Sequence, residues 1–77
     1  MHKDKKRHHK AHIILGKNIK NLREVNNISQ EELAFKISSA RNYIGCIERG
    51  EKYPSLDIIF DIAKALNCKM VDLFRNI

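Results

Sequence analysis

The chain has 77 residues, 43% hydrophobic and 31% charged, and its 15 Lys and Arg against 9 Asp and Glu give a formal charge of +6 at pH 7. A chain this short makes one small domain near the lower limit for a self-sufficient core, which excludes an ordinary metabolic enzyme with a large ligand pocket. No apolar run approaches the roughly 20 residues needed to cross a bilayer, and the opening MHKDKKRHHKAHIILG lacks the apolar length and cleavage pattern of a signal peptide.

Cys46 and Cys68 each sit in an apolar-periodic segment without metal-ligand spacing, so reduced thiols in a soluble cytoplasmic protein are expected rather than a disulfide framework. The charge is concentrated at the start. Lys3, Lys5, Lys6, Arg7 and Lys10 are opposed only by Asp4, so residues 1–12 carry four of the six net positive charges. They also hold all four histidines, His2, His8, His9 and His12. With little to bury, residues 1–12 are expected to form a flexible basic arm ahead of a folded unit over 13–77. Such an arm either follows a nucleic-acid backbone, adding salt-sensitive affinity, or is a solvated tail. His8 and His12 alone, without a scaffold or a further ligand, do not make a metal site, and no metal is assigned.

The rest reads as short helices with sharp punctuation. Leu15, Ile19 and Leu22 recur at helical spacing and predict a first helix from about Ile13 to Val25, stopped by Asn26 and Asn27. Ser29 and Glu32 form a capping box, so a second helix starts at Gln30; it buries Leu33, Ala34 and Ile37 and ends at Ser38. Ser39 is placed to cap a third helix with Ile44 and Ile47 inward, and Gly50 suits its left-handed end. Pro54 and Ser55 open a fourth, with Leu56, Ile59, Ile62, Ala63 and Leu66 as its inner face and Asn67 as its stop. A short fifth helix covers Met70 to Arg75. No alternating apolar run predicts a strand.

The informative stretch is SQEELAFKISSARNYIGCIERG, from Ser29 to Gly50. Two short helices joined by a tight turn can cross through Leu33, Ala34, Ile37, Ile44 and Ile47, leaving one face of the second free to enter a DNA major groove. The blocks Ser29 to Ala34, Ile44 to Gly50, Pro54 to Ser55 and Ala63 to Leu66 resemble, in order and spacing, the helix-turn-helix pattern of the Cro/C1-type, lambda-repressor-like (XRE) family. The likeness covers about residues 13–74. It implies an all-α, five-helix DNA-binding domain with the helix-turn-helix at helices 2 and 3. The sub-block RNYIGCIERGEKYPS is also similar to controller proteins of restriction-modification systems, through Arg41, Tyr43, Ile44, Ile47, Glu48 and Arg49. Two positions depart from the pattern. Ser38 stands where Gly is usual and a left-handed backbone is needed, at a cost on the order of 1 kcal/mol, and Ser39 replaces an apolar plug.

A wheel with Ile44 and Ile47 inward sets Asn42, Gly45, Cys46 and Arg49 outward, flanked by Arg41 and Tyr43. Arg41 suits guanine, Asn42 adenine, and Tyr43 a thymine methyl or sugar. Ala40, at the helix start, and Cys46 complete the base-reading set, Cys46 equally as a space-filler. Gln30 is a phosphate contact by helix-start position and by family likeness, and Ser39, Lys17, Arg49, Lys52 and Tyr53 are further backbone-contact candidates. The family likeness also pairs Glu48 with Arg23 in a structural ion pair.

Ile58, Phe60, Ala65, Met70, Val71 and Phe74 exceed what a small core can cover, so a homodimer through the C-terminal helices is expected, on double-stranded DNA with a palindromic operator. No cofactor and no small-molecule ligand is expected. The function that follows is a sequence-specific transcriptional regulator, either a restriction-modification controller or a phage or plasmid repressor. A protein-binding module, such as an antitoxin or antagonist gripping its target with the C-terminal apolar surface, is the alternative. An enzyme is not expected, because the histidines all lie in the arm.

Overall fold

The structure, a computed structural model, describes residues 7–77. It is all-helical over these residues: α1 spans His9–Val25, α2 Gln30–Lys36, α3 Arg41–Glu48, α4 Leu56–Ala65 and α5 Met70–Leu73. The expected arm over residues 1–12 is cut short. α1 begins at His9 instead of Ile13, because no Gly or Pro interrupts the chain before Gly16 and His12 finds a ring to stack on. The expectation for residues 1–6 lies outside the described residues.

Local chemistry sets the helix boundaries. The Ser29 hydroxyl accepts from the Glu32 N–H and the Glu32 carboxylate from the Ser29 N–H, each at 3.0 Å, so both orphan donors at the start of α2 are satisfied. Ser55 caps α4 by accepting from the Ile58 N–H at 3.2 Å. The first four helices end alike, with a left-handed residue and a backward 6→1 hydrogen bond. The left-handed residues are Asn27 (φ 57°), Ser38 (φ 55°), Gly50 (φ 75°) and Asn67 (φ 52°). Three of the four therefore turn on Asn or Ser without glycine.

Some details differ from expectation. α2 stops at Lys36, since the turn needs Ile37 as its cap and Ser38 already left-handed. Ser39 does not cap α3; extended Ala40 takes that position with no side-chain bond, and the Ser39 N–H instead closes the turn onto the Ala34 carbonyl at 2.8 Å. Leu56, the first residue of α4, is exposed, while Ile59 in the same turn is buried. α5 closes after one turn, at Leu73 instead of Arg75.

The core is built from every helix: Ile19, Leu33, Ile44, Ile47, Ile62, Leu66 and Leu73 are fully buried. α1 crosses the end of α3 at Gly16. A Cβ there would lie 2.5 Å from the carbonyl oxygens of both Ile47 and Glu48, so only glycine permits this approach. α5 is tied back to α1 by Asn18, whose amide donates to the carbonyls of Leu73 at 2.8 Å and Arg75 at 2.9 Å. Of the surplus apolar residues, Ile58, Ala65 and Met70 pack half-buried against the chain's own core. Phe60, Val71 and Phe74 stay exposed, with Leu56 and Ile77 beside them in sequence.

Candidate nucleic-acid interface

Packing of α3 against α2 and α1 buries Ile44 and Ile47 and leaves the opposite side of α3 to solvent. Arg41 and Asn42, at its leading end, are exposed, and so is Ala40 just before them. Tyr43 is different: its ring is half-buried against the core, which leaves part of it at the surface. Arg41, Asn42, Gly45, Cys46 and Arg49 line an open groove of about 350 Å³ together with Gln30 of α2. The outward set expected from the wheel thus shares one surface. Gly45 lies in it but is buried, covered by the Arg49 and Gln30 side chains, whose nearest atoms are 3.1 and 3.7 Å from where its Cβ would be.

Beneath this groove is a buried network. Arg23 Nε donates to Glu48 Oε2 at 2.7 Å and Nη2 to Oε1 at 3.1 Å, while Nη1 donates to the Ile28 carbonyl at 2.9 Å. The hydrogen bond to Glu48 raises the pKa of Arg23 against the opposing effect of burial, so the guanidinium stays charged. Gln30 joins from the other side, its amide nitrogen donating to Glu48 Oε1 at 3.0 Å. Its position at the start of α2 was legible in the sequence; its bond to Glu48 was not, because nothing local links residues 18 positions apart.

The other backbone-contact candidates are dispersed. Lys17 on α1 and Lys52 after α3 are exposed, and Ser39 is half-buried in the turn. Arg49 is exposed and paired with Glu51. Tyr53 packs against α1: its ring stacks on His12 at 3.7 Å with an interplanar angle of 10°, and its hydroxyl shares a 2.7 Å hydrogen bond with His9 Nδ1. His12 Nδ1 is buried without a partner among the described residues. Burial, then the neighbouring His8 and His9, hold its pKa below the ordinary imidazole value. This clasp between the start of α1 and the loop after α3 escapes a reading by composition, which puts these histidines in the arm. The uninterrupted helical run back from Ile13 was the available signal. Among the described residues no cluster of three or more His, Cys, Asp or Glu is placed to hold a metal, and no helix is long and apolar enough to cross a membrane.

Comparison with known proteins agrees with this geometry. The helix-turn-helix family HTH_3 matches residues 19–73. The control protein C.SmaI of Serratia marcescens is 42% identical over 63 residues, covering 82% of this chain and 75% of that one. The control protein C.BamHI of Bacillus amyloliquefaciens is 42% identical over 62 residues, covering 79% and 76%. The crystal structure of the restriction-modification controller protein C.AhdI from Aeromonas hydrophila superposes with a TM-score of 0.85 at 35% identity, over 88% of this chain and 99% of that one. The chain belongs to the helix-turn-helix family of DNA-binding transcriptional regulators.

Proposed function

We propose that this protein binds a palindromic operator as a homodimer and controls a restriction-modification operon in the cytoplasm. The observation that carries the reading is the placement of Arg41 and Asn42: exposed, at the leading end of a helix whose other face is fixed by Ile44 and Ile47. Base edges in the major groove are read by such side chains, Arg paired to guanine and Asn to adenine. Gln30, Lys17, Lys52 and Tyr53 contact the phosphate backbone in this scheme and set the register of the helix in the groove.

The exposed Phe60, Val71 and Phe74 support a two-fold partner. Two recognition helices roughly 34 Å apart would meet successive major grooves of a symmetric site. Control then depends on the protein's own concentration, through dimerisation and operator occupancy. The likeness to C.SmaI, C.BamHI and C.AhdI supports the controller role over that of a phage or plasmid repressor. Selection of bound duplexes from a random pool tests the proposal. A two-fold symmetric consensus is expected, and recovery of no consensus favours the protein-binding alternative.

A further inference from the structure

Arg49 is the cap at the end of α3, and its guanidinium is held from two sides. Nε donates to Glu51 Oε2 at 3.0 Å and Nη2 to Glu51 Oε1 at 3.1 Å, a bidentate pair, while Nη2 also approaches the Cys46 sulfur at 3.6 Å. The third nitrogen, Nη1, lies over Gly45, 3.1 Å from where a Cβ would stand. The backbone places the carboxylate independently of the side chains. Gly50 is left-handed, and the Glu51 N–H donates to the Cys46 carbonyl at 2.8 Å, folding Glu51 back against the last turn of α3.

We propose that Glu51 is a positioning residue: it fixes the plane of the Arg49 guanidinium over the bare backbone of Gly45, so that Nη1 meets DNA from the groove shared with Arg41 and Asn42. This rests on the DNA-binding reading above. Planar bidentate pairing is what distinguishes an ordered Arg from a mobile surface cation, and it leaves the donors of Nη1 for a base edge or phosphate. Hydrogen bonding to Arg49 holds the Glu51 carboxyl below its ordinary value.

Positioning has an unusual signature, because the carboxylate also cancels the charge of Arg49. Removing it frees a cation, which strengthens sequence-independent attraction to any phosphate backbone, while the fixed geometry needed at one site is lost. The two effects have opposite signs on two kinds of DNA.

The test uses the full chain with Glu51→Gln, Arg49→Ala and the double substitution, on the duplex selected from a random pool and on a scrambled duplex of equal length. Glu51→Gln is expected to weaken binding of the selected duplex by about tenfold and to tighten the scrambled one by about twofold. In the Arg49→Ala background it should not weaken the selected duplex further. Equal tightening of both duplexes would overturn the proposal, showing Glu51 to be only an opposing charge. So would equal weakening with and without Arg49, which would place its effect in the fold. Failure to select any duplex overturns the DNA reading itself, and this assignment with it.

Discussion

Arg23 and Glu48, separated by 25 positions, meet in a buried bidentate ion pair at 2.7 and 3.1 Å that fastens the end of α3 to α1. Glu48 also receives Gln30, so one carboxylate joins α1, α2 and α3. Replacing either partner by Ala leaves a buried charge uncompensated and should cost about 3 to 5 kcal/mol. Thermal unfolding followed by circular dichroism should show Arg23→Ala and Glu48→Ala melting far below the parent, with operator affinity lost in parallel. A well-folded Glu48→Ala that had merely lost DNA binding would contradict this structural role.

Gly16 decides how close α1 comes to α3. In an unconstrained helix interior Gly→Ala stabilises by about 1 kcal/mol. Here the new Cβ would lie 2.5 Å from two backbone carbonyl oxygens that cannot swing aside. Gly16→Ala should therefore destabilise, by about 1 to 3 kcal/mol as expected of an overpacked contact. A raised melting temperature would contradict the crossing.

Ser38 holds a left-handed backbone, φ 55°, in the turn between α2 and α3. Ser38→Gly should raise stability by up to about 1 kcal/mol, the relief of strain partly offset by the entropy of glycine in the unfolded chain. Denaturant midpoints of parent and variant measure it, and a lower midpoint for the variant would contradict it.

The His12 and Tyr53 stack sets a pH dependence with a definite sign. Because the pKa of His12 is lowered by burial and by His8 and His9, folding favours its neutral form. The stability this contributes is present above the unfolded value of about 6.5 and is lost as pH falls through the lowered folded value. The melting temperature should fall as pH drops below the unfolded value of about 6.5 and towards the lowered folded value. His12→Phe, which keeps an aromatic ring against Tyr53, should flatten that decline. An unchanged slope in the variant would contradict the clasp.

Phe60 is 48% exposed and outside the core, so Phe60→Asp should leave the monomer folded. If the exposed apolar surface is the dimer contact, the variant should sediment as a monomer and bind a symmetric duplex more weakly and less cooperatively. Retention of the parent mass would contradict that surface.

The capping box at Ser29 and the inward Ile44 and Ile47 are legible because each depends on residues within one or two turns, whereas the left-handed backbone at Ser38 follows from the glycine usual at that position of the family pattern. The family is legible as well, and the wheel with Ile44 and Ile47 inward sets Asn42 on the outer face with Arg41 at its flank. The Gln30 bond to Glu48 and the Gly16 crossing were not legible, because both depend on how α1 and α2 pack on α3. Gly45 was assigned the outward side correctly, yet it is buried by the long side chains of its neighbours, which a wheel does not represent. His12 was misplaced because composition outweighed helical continuity at the boundary of the arm. Periodicity points Leu56 inward, but the structure leaves it exposed at the first position of α4.

The most direct test of DNA reading by α3 is the affinity of Arg41→Ala for the selected duplex and for its single-base variants. A loss of about 1 to 3 kcal/mol with discrimination relaxed at one base pair of each half-site is expected. A uniform loss on every sequence, or no loss at all, would contradict base reading by this helix.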